Sequence, residues 1–276
     1  MSKSNLPGGW RIDLENFGAL NRLQGDKIVL AMRGQYKEVA FDPRQVMRVE
    51  QQGQQGACAG HSLSSNTEWV HIIATGDPSL QLSRAMGYYE TQRIDGINGD
   101  SGSTIEGGVQ LATTVGICRE QLWTYPSGYN NRRPADYSAV IADAAQFKIA
   151  TTINLKSYDA IRTFLGSGQG GVHLGITWNS SVDRDVVESY SASGGGGHSI
   201  GLYSLSDRKD SQGRPYCWMM NSWGASWQGD GWAEWSPRAI EQMLQARWSV
   251  FVGLSDMPGV RPRTYALEQL KKDLRV

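Results

Sequence analysis

The two halves of this 276-residue chain carry different hydrophobic patterns, and this difference limits the folds open to it. In the first half, apolar residues recur at helical spacing over residues 59–74 and 105–112. In the second half, short aromatic segments between Gly and Asp turns are typical of β-strands, at 172–178, 198–205, 216–223, 231–235 and 248–254. Helices followed by strands predict an α+β fold with two lobes and a cleft suited to a functional site.

Local signals predict further elements and their ends. An apolar patch at Lys27–Met32 predicts an early strand. Asp100 or Ser101 is expected to cap the helix over 105–112, because a short polar side chain can accept a hydrogen bond from the first turn. Ser157 and Ser236 are expected to cap two later helices in the same way.

Composition excludes several classes of function. The 27 basic and 27 acidic residues balance, so we expect no nucleic-acid partner. No apolar run approaches the length of a membrane span and the first residues show no secretory signal, so we expect no membrane partner and a cytoplasmic location, or packaging in a particle assembled in a cytoplasm. Three cysteines argue against a disulfide framework, and four scattered histidines lack the close pairs of a zinc site, so no metal and no cofactor are expected.

The residue types needed for acyl transfer occur in the order Cys58, His198, Asn221. Cys58 follows Gly56-Ala57 at the start of the first helix, where free N–H groups favour a thiolate over a thiol. His198 follows four glycines and opens a strand, and Asn221 can hold an imidazole ring in place. Taken singly, each residue also has an ordinary structural interpretation, as a small buried cysteine or as a residue of a turn.

The segments around these residues resemble the papain-like cysteine peptidases. NSWGASWQGDGW resembles the family's Asn-Ser-Trp-Gly-x-x-Trp-Gly-x-x-Gly-Tyr segment, and GGHSIGLYSLSD resembles its Gly-His-Ala strand. NGDSGSTIEGGVQLATTVGICREQLWTY resembles its second helix and the turn that follows. The resemblance covers about Phe41 to Met257 and points to the bacterial or phage, disulfide-poor branch. It implies a helical left lobe, an antiparallel β-barrel-like right lobe and an active site in the cleft between them.

Two overlapping Gln-Gly pairs in QQGQQGACAGHS leave two positions for the nucleophile. The family places its oxyanion Gln six residues before the nucleophilic Cys, so counting from Gln52 reaches Cys58, whereas counting from Gln55 reaches His61 and gives an inactive protein. The second register matches the animal and plant pattern, in which an extra Cys before the nucleophile forms a disulfide with a Cys just before the second helix. GINGDSG has no such Cys, so the resemblance favours Cys58, although Ala59 stands where the family usually has Trp or Thr.

The resemblance implies a role for each site residue. His198 would act as acid and base, Asn221 would orient its ring and Trp223 would cover their contact. The side-chain amide of Gln52 and the backbone N–H of Cys58 would donate to the oxyanion. A polypeptide substrate would pair with backbone at Ser101, Gly102, Ser103 and Gly197.

We expect an N-terminal arm over 1–40, a peptidase domain over 41–256 and a C-terminal helical tail over 257–276. The arm is short for an inhibitory pro-segment, so activity is expected to depend on location, on a partner, or on the arm lying over the cleft. In the tail, Leu267, Leu270 and Leu274 form a narrow apolar stripe, which would dock on the chain's own domain or on a partner or second copy.

Two alternatives to a hydrolase remain open at this stage. The first is a catalytically idle papain-fold module that serves a larger assembly such as a phage particle. The second is an enzyme that transfers the acyl group to an amine or cleaves an isopeptide bond.

Five further residues are expected to be structural, namely His61, His71, His173, Cys118 and Cys217.

Overall fold

The computed structural model describes residues 10–11, 25–30, 35–256 and 264–274. Its helices, in chain order, are α1 (Gly25–Leu30), α2 (Cys58–Thr75), α3 (Arg84–Asp95), α4 (Ile105–Thr114), α5 (Tyr137–Ala144), α6 (Tyr158–Gly166), α7 (Pro237–Gln245) and α8 (Thr264–Asp273). Its strands are β1 (Trp10–Arg11), β2 (Ser103–Thr104), β3 (Thr151–Asn154), β4 (Gly171–Trp178), β5 (Val186–Val187), β6 (Gly196–Lys209), β7 (Pro215–Met220), β8 (Trp232–Trp235) and β9 (Val250–Ser255).

Helix α2 lies between the two lobes and is buried around most of its circumference. It packs on α3 and α4 in one lobe and on β4 and β6 in the other. Gly76 ends it in the left-handed region at φ 76°, as the sequence predicts. The side chain of Ala57 does not cap its first turn, and Cys58 is the first residue of the helix.

The right lobe is built on a seven-stranded sheet with the order β3-β9-β4-β6-β7-β8-β5, antiparallel throughout except between β5 and β8. Aliphatic and aromatic side chains from the sheet, α6 and α7 form its core. Ser157 and Ser236 cap α6 and α7, as predicted. The predicted α+β fold with a helical lobe and an antiparallel β lobe is therefore confirmed.

Three local predictions are wrong. The described part of the patch predicted as a strand over Lys27–Met32, residues 27–30, is helical, because residues 25–30 form α1 and bury Val29 in the right-lobe core. A short apolar run cannot distinguish a strand from a helix. Thr104, rather than Asp100 or Ser101, caps α4 by accepting a hydrogen bond from the N–H of Gly107 at 2.9 Å. Strand β7 ends at Met220, and residues 221–223 leave the sheet.

Segments outside the two lobes also contact them. Strand β1 pairs in parallel with β2, with Trp10 opposite Ser103. Helix α8 buries Leu267 and Leu270 in a cluster that includes Trp69, so the chain's own domain covers most of the apolar stripe. Within the described ranges, no helix has the length and apolar character needed to cross a membrane.

Candidate active site

Cys58 meets the strand that carries His198. The Cys58 side chain is fully buried at the start of α2, and its Sγ accepts a hydrogen bond from the backbone N–H of Ser199 at 3.4 Å. Because Ser199 directly follows His198 on β6, this contact joins the nucleophile candidate of one lobe to the histidine candidate of the other. Cys58 and His198, which are far apart in the sequence, thus lie on segments that contact each other.

Asn221 fixes the imidazole ring of His198. The Nε2 atom of His198 lies 2.9 Å from Oδ1 of Asn221, and the same oxygen accepts the N–H of Ser222 at 2.8 Å. Because this oxygen only accepts, Nε2 carries a proton. The other ring nitrogen, Nδ1, has no hydrogen-bond partner among the described residues, which leaves it available for proton transfer.

Indole rings surround the histidine. Trp223 lies against it with ring centroids 4.6 Å apart and planes inclined by 31°, and Trp178 contacts it edge-on at 4.9 Å. Trp227 packs on both indoles, and its Nε1 donates to Asp183 at 2.9 Å. Trp178 is missed by the sequence reasoning, and its position at the end of the predicted strand 172–178 is the only signal that could have singled it out.

Burial of His198 affects which protonation state of its ring is favoured. Burial lowers the pKa of His198 to about 4, against the opposing effect of the hydrogen bond to Asn221. An isolated neutral imidazole would therefore be favoured near neutral pH. A thiolate at Cys58 would oppose this preference, because an opposite charge a few ångströms away stabilises the imidazolium.

Gln52 is completely buried and contacts Ser222, the residue after Asn221. Its Oε1 accepts the hydroxyl of Ser222 at 2.6 Å, and its Nε2 donates to the carbonyl of Gln55 at 2.8 Å. The hydroxyl of Tyr125 donates to the Gln52 carbonyl at 3.0 Å. These contacts fix which end of the amide carries the donors and which end carries the acceptor.

The residues of the alternative register have other partners. The Gln55 side chain donates to the carbonyl of Pro126 and accepts the hydroxyl of Tyr89, at 2.8 and 2.7 Å. His61 Nδ1 lies 3.1 Å from the carbonyl of Ala57, and its ring packs against Tyr125. Both side chains are thus engaged within the left lobe.

The predicted substrate-pairing residues differ in their backbone partners. The N–H of Gly102 donates to the Tyr88 hydroxyl at 3.2 Å, and its carbonyl accepts from Gln92 at 3.0 Å, so both groups of Gly102 are occupied within the protein. Ser103 instead pairs with β1. Ser101 and Gly197 are partly exposed. Of the three residues from Ser101 to Ser103, Ser103 is thus the one whose backbone pairs with a strand.

The remaining histidines and cysteines predicted to be structural are mostly buried. His173 Nδ1 lies 2.8 Å from the Ser62 hydroxyl, and His71 is partly buried. Burial raises the pKa of Cys118 to about 12 and also raises that of Cys217. These two thiols are therefore poor nucleophiles at neutral pH.

We expect the folded state to lose stability as the pH falls from about 6.5 to about 3. Burial lowers the pKa of His61 and of His173 from 6.5 to about 3, so within this range the unfolded chain binds protons that the folded chain does not. Above pH 6.5 both states are neutral at these rings, and their contribution is fully present. Urea unfolding at several pH values should show a shallower acid slope for His173→Gln than for the parent chain.

The matched control for this prediction is His71→Gln, because His71 is only partly buried. Its acid slope should equal that of the parent. An unchanged slope in His173→Gln would contradict the role given to the buried ring.

Comparison with known proteins agrees with this geometry. The sequence profile of the papain family of cysteine proteases matches residues 38–247. Among solved structures, xylellain, a cysteine protease from Xylella fastidiosa, has a TM-score of 0.70 and 18% identity over 94% of this chain and 99% of its own. The proform of the ragweed pollen allergen Amb a 11, also a cysteine protease, has a TM-score of 0.66 and 18% identity over 91% of this chain and 75% of its own.

A Carica candamarcensis cysteine protease in complex with E-64 has a TM-score of 0.58 and 17% identity over 79% of this chain and 99% of its own. At such identities, these likenesses establish the fold alone. No curated protein sequence matches the chain.

Proposed function

The chain belongs to the papain family of cysteine proteases, and we propose that it hydrolyses peptide bonds with Cys58 as nucleophile, His198 as acid and base, and Asn221 as the residue that orients His198. The observation that carries the proposal is the junction of the two lobes. There the Cys58 sulfur accepts the backbone N–H of Ser199, which follows His198 on β6, and His198 is bonded to Asn221. A nucleophile, a base and an orienter within one contact network are the parts that acyl transfer requires.

In the first half of the reaction, the Cys58 thiolate attacks the carbonyl carbon of the scissile peptide bond. The His198 imidazolium gives its Nδ1 proton to the leaving amine as the C–N bond breaks, and a thioester remains on Cys58. In the second half, the neutral Nδ1 of His198 takes a proton from water, and the hydroxide formed attacks the thioester. The carbonyl reforms, the acid leaves and the thiolate–imidazolium pair returns.

Gln52 and the N–H of Cys58 would stabilise the oxyanion formed in each half. The Gln52 amide keeps its orientation through Ser222, and the N-terminus of α2 adds partial positive charge. Donors held in advance of the reaction do not need to reorganise when charge develops. Trp223 would exclude water from the bond between His198 and Asn221.

We propose that the substrate is an extended polypeptide and that cleavage is internal. Backbone at Ser103 would pair with the substrate on one side of the cleft, and Gly197 would line the other side. Ser101 and Gly102 would shape the turn that leads into Ser103. Association through the C-terminal helix remains a second proposal. It would have to use the polar side of α8, because Leu267 and Leu270 are already buried.

The products distinguish hydrolysis from transfer to an amine, and a catalytically idle protein would give neither product. Incubation with an unfolded protein and with short peptide amides, followed by mass spectrometry, should show cleavage at internal bonds. Addition of an excess of a small amine measures transfer directly, because an amide of that amine then replaces the free acid. An absence of both products, while Cys58 still reacts with alkylating agents, would favour the idle module of a larger assembly.

Deletion of residues 1–20 is expected to raise kcat/KM by about 10-fold, because an arm paired with β2 competes with an extended substrate for the same backbone edge. The deletion keeps α1, whose Val29 is part of the core. The measurement is steady-state hydrolysis of one peptide amide by both forms. Equal kcat/KM for the two forms would exclude control by the arm.

A further inference from the structure

The turn from Gln52 to Cys58 carries both proposed oxyanion donors, so its shape sets the distance between them. The turn is closed by the bond from Gln52 Nε2 to the carbonyl of Gln55, and Gly53 adopts a left-handed conformation at φ 62°. The turn ends at Cys58, the first residue of α2, and the Gln55 side chain is bonded to Pro126 and Tyr89. Gly56 lies between them and is held by a contact with another segment of the left lobe.

Asp100 provides such a contact. One of its carboxylate oxygens, Oδ1, accepts the N–H of Gly56 at 2.8 Å and the hydroxyl of Tyr88 at 2.7 Å. The two segments pack closely here, because a Cβ atom on Gly56 would lie 3.0 Å from the backbone nitrogen of Gly102. Hydrogen bonds to a charged acceptor are about twice as strong as neutral ones. The Asp100 carboxylate therefore ties the turn to the segment before α4.

The Asp100 segment is in turn held by α3. Gln92 Nε2 lies 3.0, 2.9 and 3.0 Å from the hydroxyl of Tyr88 and the carbonyls of Gly99 and Gly102, and its two hydrogens are shared among these three acceptors. Burial, followed by the hydrogen bond to Asp100, raises the pKa of Tyr88, so its hydroxyl stays a donor at any working pH. These hydrogen bonds thus connect α3 to the turn through the carboxylate of Asp100.

We infer that Asp100 and Tyr88 are positioning residues for catalysis, which hold Gly56 so that the N–H of Cys58 and the amide of Gln52 converge on one oxygen. The inference rests on the proposed function. Neither residue touches the reacting atoms. In the animal and plant pattern described above, a disulfide would join these two segments. Hydrogen bonds join them in this chain, so the turn does not need an oxidising environment to keep its shape.

Four variants separate positioning from general stability. Asp100→Ala removes the acceptor, whereas Asp100→Asn keeps an oxygen acceptor at the same place. Tyr88→Phe removes the second donor to Asp100. Tyr216→Phe is the matched control, because Tyr216 donates its hydroxyl to a carboxylate, Glu188, at 2.6 Å in the other lobe.

Three readouts are measured on each full-length variant. Steady-state kinetics on a peptide amide gives kcat and KM. Alkylation of Cys58 by iodoacetamide reports the nucleophile without an oxyanion, because the reaction displaces iodide from carbon. Hydrogen exchange of the peptide that contains Gly56 and Cys58 reports the order of the turn directly.

Asp100→Ala is expected to lower kcat by about 10- to 100-fold with KM changed less than about 3-fold, because small misplacement of catalytic groups has effects of this size. Its alkylation rate should stay within about 2-fold of the parent, and exchange at the turn should rise by about 10-fold or more. Tyr88→Phe should move in the same direction by less, and Asp100→Asn should restore most of kcat. Tyr216→Phe should leave kcat and exchange at the turn unchanged.

Unchanged kcat in Asp100→Ala would overturn the inference, as would an equal loss in Tyr216→Phe or a parallel loss of alkylation. If the parent chain itself hydrolyses nothing, the proposed function fails, whereas the exchange measurement still decides whether Asp100 holds the turn. If hydrogen exchange at the turn is identical in Asp100→Ala and the parent, Asp100 does not hold the turn, whether or not the parent hydrolyses peptides.

Discussion

Replacement of Cys58 by alanine is expected to reduce peptide hydrolysis by about 10⁴-fold or more, because no other group can form the covalent intermediate. The side chain is fully buried and small, so the substitution removes a single sulfur atom and leaves the helix intact. It also removes the anion that would stabilise the imidazolium form of the buried His198. The measurement is kcat/KM on a peptide amide, with the melting temperature as a check on folding.

Cys118→Ala is the matched control for this prediction. Cys118 is also fully buried, and burial raises the pKa of its thiol to about 12. The control should keep its activity within about 3-fold of the parent at temperatures where it is folded, since the loss of one buried sulfur costs stability rather than chemistry. Comparable losses in both variants would remove the basis for placing the nucleophile at Cys58.

Gln52→Ala is expected to lower kcat by about 10²- to 10³-fold, which corresponds to about 3–4 kcal/mol, because it removes one of two oxyanion donors. The loss should fall on kcat more than on KM, since the donor acts on charge that exists only during the reaction. The variant also leaves the Ser222 hydroxyl without its acceptor, so a modest drop in melting temperature is expected as well.

Gln55→Ala is the control that decides between the two registers. It makes the same truncation at a position that is equally buried, and it removes bonds to Pro126 and Tyr89. Its effect on kcat should be smaller than that of Gln52→Ala, because it loosens the turn without removing an oxyanion donor. If Gln55→Ala were the more damaging of the two, the assignment of the oxyanion donor to Gln52 would be wrong.

The sequence predicts the fold correctly, and it also singles out the proposed catalytic residues, for a physical reason. The demands of acyl transfer fall on a few residue types, and their neighbouring segments must also build turns with fixed backbone shapes, so each motif carries several constraints at once. Helices α2, α4 and α6 were recognisable because their apolar positions recur and because Gly or Ser marks one of their ends.

Other features depend on contacts between segments distant in sequence. Helix α3 was missed because it buries charge: Arg84 pairs with Glu68, with Nη2 and Oε2 2.8 Å apart, so its buried face does not look apolar. Asp100 was read as a helix cap because its side chain can accept a local N–H, but it accepts the N–H of Gly56 from another segment instead. Trp178 and Tyr125 likewise gain their places beside His198 and Gln52 only through folding.

The most direct test of the account is labelling of the thiols with an epoxide-type reagent from about pH 4 to about pH 9, followed by intact mass measurement and peptide mapping. The account predicts one adduct, on Cys58, that still forms well below about pH 7 and is lost in His198→Ala, because a thiolate–imidazolium pair persists there. Labelling that begins only above about pH 8 and spreads over Cys118 and Cys217, or no labelling at all, would contradict it.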